Sequence, residues 1–295
     1  MMRRIRLRAP GKINWTLDVI GKRADGYHEV EMLMQSVGLW DEIVLTHRDQ
    51  GVEISCEAAG IPLDDNNLAV RAAMLIKKHF DLPQGIHIDI RKSIPAAAGL
   101  AGGSSNAAAV LAGLNVMWRL GLSLPELAEL GTGLGADVPF CILGGTAVAR
   151  GLGEKLTPLQ PLEGIRLVLV KPSFGVSTAS VFGELKLDKH RHPDWRETYN
   201  LLRNRKWDEL NRGMGNVLET VTAARHPEIY EIKELLLRSG AAASQMTGSG
   251  PAVFGVFKTA EAARRAVRDI SPFYSQIFMV STHGRGVEIM EGGSL

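Results

Sequence analysis

The run Pro95-Ala96-Ala97-Ala98-Gly99-Leu100-Ala101-Gly102-Gly103-Ser104-Ser105-Asn106-Ala107 sits between two segments of different periodicity. Upstream, Ile86, Ile88 and Ile90 alternate with His87, Asp89 and Arg91, the pattern of a half-buried strand. Downstream, Val110, Leu111, Leu114, Met117 and Trp118 fall on one face of an alanine-rich helix. That helix opens at Ser104-Ser105 and runs to about Arg119. Glycine and alanine let a backbone approach a ligand with no side chain in the way. Successive N–H groups in such a loop form an anion nest, and the following helix adds its positive N-terminal end. Ser104 and Ser105 can cap the helix or hydrogen-bond phosphate oxygens. By itself the run reads as a phosphate cradle or as a flexible small-residue loop before a capped helix. The strand–loop–helix context favours the cradle.

Working outward, Asn66 or Asn67 can cap a helix from Leu68 to about Phe80. Strands are predicted at Ile5–Arg8, ending at Ala9-Pro10-Gly11, and at Asn14–Ile20, Glu42–Thr46 and Val52–Ser55. A helix near Pro125–Gly131 precedes Gly133-Leu134-Gly135-Ala136-Asp137, and Thr146–Arg150 reads as a strand. Gly151–Pro161 reads as a linker. Beyond it come a strand at Arg166–Val170 and helical segments at Ser177–Leu187, Trp195–Arg203, Lys206–Arg212, Val217–Arg225 and Pro227–Arg238. A hairpin, Ala243–Met246 with Ala252–Phe257, a helix at Thr259–Ile270 and a strand at Ile277–Ser281 follow. Strands mixed with helices, without strict βαβ alternation, predict an α+β fold of two domains, 1–155 and 156–295.

Composition narrows the function classes. The chain has 295 residues, 45% of them apolar and 22% charged, so disorder, coiled coil and collagen are excluded. No apolar stretch approaches the ~20 residues of a membrane helix. Met1-Met2-Arg3-Arg4 is basic, but no apolar stretch follows as a secretory signal requires. Two cysteines cannot form a disulfide framework and fit a reducing cytosol, so a cytoplasmic location is expected. A net charge of +2 without a dense basic run argues against nucleic acid as a partner. The eight histidines show no ligand spacing for a structural metal.

Other segments could carry chemistry. Asp137 stands among Gly, Ala, Val and Pro in Gly133–Phe140, where a lone carboxylate reads as a solvated turn residue or a placed functional group. Pro139 biases Val138 to extended backbone and helps end the preceding helix. Lys12, in Pro10-Gly11-Lys12-Ile13-Asn14, is by itself a surface charge at a strand edge. Gly248-Ser249-Gly250-Pro251 is by itself a hairpin turn. No Walker loop is present, because Gly11-Lys12 and Gly21-Lys22 lack the upstream glycine and the following Ser or Thr.

Three separated glycine-rich segments behind an early lysine are jointly far more specific than any one. Their order resembles the GHMP kinase superfamily, over residues 8 to about 258. The run Lys22-Arg23-Ala24-Asp25-Gly26-Tyr27-His28, with Asp65–Leu68 and Gly153-Glu154, narrows the resemblance. It points to the branch whose acceptor is 4-diphosphocytidyl-2-C-methyl-D-erythritol. The resemblance implies a two-domain α+β GHMP kinase-like fold with the active site in the interdomain cleft. Residues 1–155 would be the ATP-binding N-terminal domain and 156–295 the C-terminal domain.

The same resemblance implies ATP as donor, Mg2+ as its companion ion, and the acceptor's tertiary 2-hydroxyl as nucleophile. No nucleic acid, membrane or obligate protein partner is implied. Asp137 would be the base, with Lys12 orienting it. ATP would be bound by Pro95, Ala96, Ala97, Ala98, Gly99, Leu100, Ala101, Gly102, Gly103, Ser104 and Ser105. Lys92 and Asn66 would lie toward its adenosine end. Asn14, Tyr27, His28, Thr178, Phe182 and Gly248 would contact the acceptor, with Tyr27, His28 and Phe182 on the cytosine. A Lys–Asp pair keeps a carboxylate ionised beside a cation, as phosphoryl transfer needs. Ala97, Ala98 and Ala101 stand where glycine is common, so any of them at positive φ strains the loop. Val217 stands where a polar or acidic residue is common, and no second acidic magnesium ligand is evident. The rival readings are another small-alcohol kinase of this superfamily and a non-catalytic ligand-sensing relative.

Overall fold

In the computed structural model, which describes residues 2–186 and 191–291, the chain opens with two long antiparallel strands, β1 (Arg4–Lys22) and β2 (His28–Arg48). The predicted break at Ala9-Pro10-Gly11 is not there. The β1–β2 register runs from Arg4↔Thr46 to Lys22↔His28 and shifts at Pro10/Gly11, Asn14/Thr16 and Val19/Gly21. Bulges let the strand pass a proline that has no N–H to donate. The alternation that marks a strand fades because every residue from Ala9 to Val19 is buried, on both faces.

β3 (Val52–Cys56), α1 (Leu68–His79), β4 (Gly85–Arg91) and α2 (Gly102–Met117) follow. Asn67 caps α1, its Oδ1 accepting from Ala69 N at 2.9 Å. α2 lies on the sheet so closely that a Cβ on Gly113 would come within 2.5 Å of Leu45 Cδ1. Ile5, Leu7, Ile43, Leu45, Ile86 and Ile88 pack there against Val110 and Leu114. α3 (Leu124–Gly131) has a capping box from Ser123 and Glu126. Pro139 does not end that helix. It stands in the first turn of a further one, α4 (Val138–Leu143), where a missing N–H is harmless.

β5 (Thr146–Gly151) pairs with β2 and with β6 (Lys155–Leu159), a strand that lies inside the predicted linker. β6 has one neighbour, β5, and such an edge tolerates Pro158. The second half contains β7 (Arg166–Lys171), α5 (Thr178–Glu184), α6 (Trp195–Arg203), α7 (Trp207–Gly213), β8 (Gly215–Asn216), α8 (Glu219–Arg225) and α9 (Glu228–Arg238). It closes with β9 (Ala243–Met246), β10 (Val253–Phe257), α10 (Ala260–Ile270), β11 (Gln276–Ser281) and β12 (Glu288–Glu291). The predicted helix over Ser177–Leu187 ends at Glu184, and Leu187 lies outside the described residues. β11, β7, β10 and β9 form an antiparallel four-stranded sheet. β8 and β12 instead join the first sheet beside β1. That sheet therefore draws strands from both sides of residue 155. No helix among the described residues is long and apolar enough to cross a membrane.

Candidate active site

The strand–loop–helix unit built by β4 and α2 faces the second half across a cavity of about 560 Å³. Two loops meet at its floor. Gly99 (φ 76°) packs so tightly on the loop after β9 that a Cβ would stand 2.2 Å from the Thr247 carbonyl oxygen. Ala252 N donates to Ala98 O at 3.2 Å, so the phosphate-type loop is tied to the second half by backbone. Ala97 (φ 49°) and Ala101 (φ 57°) do take left-handed backbone, so two of the three alanines carry strain that glycine would not.

α2 starts at Gly102, not at the serines, and its N-cap Ala101 supplies no side-chain acceptor. The amides of Gly102, Gly103 and Ser104 therefore open the helix without a cap, beside residues that all line the cavity. Ser104 is among them, but Ser105 is buried and donates its Oγ proton to Pro10 O at 2.6 Å. Leu100 is likewise turned into the core, and its carbonyl accepts from Lys12 N at 3.1 Å. Pro95, Ala96, Ala97, Ala98, Gly99, Ala101, Gly102 and Gly103 line the cavity, as do Lys92 and Asn66.

Lys12 and Asp137 meet at the same cavity. The Lys12 side chain is 5% exposed, and its Nζ donates to Asn14 Oδ1 at 2.9 Å and stands 3.8 Å from Asp137 Oδ2. Asp137 precedes α4 and keeps 31% of its side chain exposed toward the cleft. Behind it, burial pushes the Cys141 thiol up, and the Asp137 charge adds to that, so this cysteine stays protonated.

On the acceptor side, Thr178 Oγ1 and Ser249 Oγ are 2.8 Å apart and both line the cavity with Gly248. Phe182 lines it too, and its ring lies 5.4 Å from that of His28 at an interplanar angle of 33°. The two halves are thus joined by an aromatic pair, of which Phe182 lines the cavity and His28 does not. Burial, and next the Lys22 charge, lower the His28 pKa below its ordinary value. Tyr27 is 64% exposed and does not line the cavity. Asn14 does not line it either. Its side chain is buried, with Nδ2 3.4 Å from Met32 Sδ, so it reaches the cleft through two residues that line it, Lys12 and Met32.

Several cavity residues escape the sequence reading. Leu17, Met32, Leu152 and Leu218 give it an apolar wall. Asn216 donates through Nδ2 to Met246 O at 2.9 Å and Gly248 O at 2.8 Å, fixing the glycine loop from behind. Val217, beside it, is a buried core residue whose side chain is apolar. A polar residue among apolar ones was the only sequence signal for Asn216. No group of three or more His, Cys, Asp or Glu side chains is placed to hold a metal ion among the described residues.

The GHMP kinases N terminal domain family matches residues 67–145 and the GHMP kinases C terminal family residues 199–276. A 4-diphosphocytidyl-2-C-methyl-D-erythritol kinase of Alkaliphilus oremlandii is 47% identical over 98% of this chain and 100% of that protein. One from Listeria monocytogenes is 44% identical over 96% of this chain and 97% of its own length. Among solved structures, a 4-(cytidine 5'-diphospho)-2C-methyl-D-erythritol kinase superposes with a TM-score of 0.83 at 31% identity, covering 95% of this chain and 99% of that one. A homoserine kinase of Cytophaga hutchinsonii, 19% identical over 98% of both chains, shares the fold with a TM-score of 0.77. Full-length likeness of this kind, with both halves matched and Lys12 and Asp137 meeting in one cleft, places the chain in the 4-diphosphocytidyl-2-C-methyl-D-erythritol kinase family of the GHMP kinases.

Proposed function

We propose that this chain transfers the γ-phosphoryl group of ATP to the tertiary 2-hydroxyl of 4-diphosphocytidyl-2-C-methyl-D-erythritol. The products are the 2-phosphate and ADP, in the methylerythritol phosphate route to isoprenoid precursors. The observation that carries this reading is the Lys12–Asp137 pair, 3.8 Å apart, in the same cavity as an uncapped helix N-terminus. Phosphoryl transfer leaves little covalent work to protein groups, so positioning and electrostatics dominate. The Gly102–Ser104 amides receive the anionic chain of ATP, and so does Lys92, which the resemblance puts toward the adenosine end but whose Nζ stands 3.0 Å from where a Cβ on Gly102 would be. Asp137 accepts the proton of the 2-hydroxyl as its oxygen bonds to the γ-phosphorus and the bond to the β-phosphate oxygen breaks. Lys12, locked by Asn14, holds that carboxylate and faces the charge that develops.

Mg2+ fits a site with few protein ligands. It ordinarily binds through one or two protein oxygens plus substrate phosphates, which agrees with the lack of an acidic cluster among the described residues. The Ser104 hydroxyl and the Asp137 carboxylate both line the cavity and would hold the ion. The ion would neutralise charge on the transferring group. We also read 1–155 and 156–295 as the two domains and the cytoplasm as the location.

Coupled ADP release across candidate alcohols tests the reading. Turnover is expected with the diphosphocytidyl acceptor and to require a divalent ion. Equal turnover with homoserine or mevalonate would replace it by the broader small-alcohol kinase. ATP binding without turnover on any acceptor would make the chain a ligand sensor.

A further inference from the structure

Asp41 is fully buried, 0% exposed, and the reaction described above gives it no task. It lies on β2 opposite Ala9 of β1, next to the Glu42↔Arg91 pair that sets Lys92 beside it. Its Oδ1 accepts from the backbone N–H of Ser93 at 2.7 Å and of Ile94 at 2.9 Å. Its Oδ2 accepts from Asn106 Nδ2 at 2.8 Å and from Lys92 Nζ. Each oxygen has two donors, so the acceptor capacity of an ionised carboxylate is filled. Asp41 therefore acts through what it holds.

What it holds is the frame of the phosphate loop. Ser93 and Ile94 lead into that loop, and Asn106 sits in the opening turns of α2. Lys92 lines the cavity with a side chain only 8% exposed. Its Nζ also donates to Asn106 Oδ1 at 3.2 Å, and its third N–H has no partner among the described residues. The Nζ stands 3.0 Å from where a Cβ on Gly102 would be, beside the first residue of the helix. An ammonium placed at a helix N-terminus sets two positive ends together. Without a buried anion behind it, that ammonium would gain by swinging out to water.

We propose that Asp41 is a positioning residue for the nucleotide, fixing the Lys92 ammonium at the mouth of the amide nest so that its remaining N–H meets the polyphosphate. This rests on the reading of the loop as the ATP phosphate site. Asp41→Asn keeps the shape and removes the charge. It is expected to raise the ATP Michaelis constant roughly ten- to hundredfold, the scale of one charge-assisted hydrogen bond, with the acceptor constant unchanged. Lys92→Met should do the same, and Asp41→Asn should add nothing on that background. A lowered melting temperature with an unchanged ATP constant, a parallel rise of both constants, or an additive double variant would overturn the proposal. If Asp41→Asn does not fold, Lys92→Arg decides, because it keeps the charge and moves it. A raised ATP constant then supports a position-sensitive cation, and an unchanged one overturns it. Wild-type ADP release and the ATP constant of Gly103→Val report on the phosphate site separately. If those behave as expected while Lys92→Met leaves the ATP constant unchanged, only the role of Asp41 falls.

Discussion

Asp137 and Lys12 come together from chain positions 125 residues apart, and the chemistry rests on that meeting. Asp137→Asn is expected to lower kcat by ~10²–10⁴-fold, the usual loss on removing a general base, at an unchanged melting temperature. Lys12→Met should cost comparably, and the double variant should be less than additive because the pair acts as a unit. Steady-state kinetics beside a thermal melt checks both. Phe182, facing the cavity and His28, is the aromatic residue placed to stack on a base. Phe182→Ala should raise the acceptor Michaelis constant by about one to two decades, from ~1–3 kcal/mol of stacking, and leave that of ATP alone. Equal effects on both substrates would return Phe182 to the core. His28 adds a pH dependence. Its folded pKa lies below its ordinary 6.5, because burial and then Lys22 oppose the cation. The unfolded chain thus binds the proton first on acidification, and the contribution of His28 to stability falls as pH drops below 6.5. Melting temperature should decline more steeply with acidification across that window in the wild type than in His28→Asn. The acceptor Michaelis constant should rise over the same window.

The element that matters most is the first turn of α2. Its two glycines are not equivalent. A Cβ on Gly102 would come within 3.0 Å of Lys92 Nζ and 3.1 Å of Ile94 Cγ2, so substitution there disturbs the protein itself. A Cβ on Gly103 would meet only Leu68 Cδ1, at 3.7 Å, an ordinary contact. Gly103→Val therefore probes the space left for a ligand. It is expected to raise the ATP Michaelis constant by tenfold or more, about 1.4 kcal/mol, with little loss of melting temperature. An unchanged ATP constant would make the loop a purely structural one. The strain at Ala97 and Ala101 fits an element held from outside, because the backbone tie to Ala252 and the packing on Thr247 over-determine it.

At the scale of the molecule, the cleft is built by loops of one half fastened to loops of the other. Asn14 N donates to Thr247 Oγ1 at 3.0 Å, and Asn216, which pairs with β1 through β8, carries the carbonyls of Met246 and Gly248. Asn216→Ala strands those two buried carbonyls, at ~1–3 kcal/mol each when unpaired. The expected outcome is a melting temperature lower by several degrees, together with a raised acceptor constant from a loosened Gly248 loop. A melt with substrate titrations checks this, and an unaffected melt would mean that water replaces the amide.

The sequence by itself determined the strand–loop–helix unit, a cap at Asn66 or Asn67, most second-half elements and the family, because periodicity, capping and turn chemistry act over a few residues. The order of the glycine motifs carried the same kind of local information. It could not show that β1 runs unbroken past Pro10, since burial on both faces erases the alternation a strand is read from. Nor could it show which way loop side chains turn. Leu100 and Ser105 belong to the motif, yet they point into the core, while Asn14 serves the cleft from behind Lys12. Asp41 carried no signal, being one carboxylate in a strand. It became legible only when β2, β4 and α2 packed and four donors converged on it. Tertiary structure alone decided these matters, because each depends on residues far apart in sequence whose separation is set by the packing of sheets and helices.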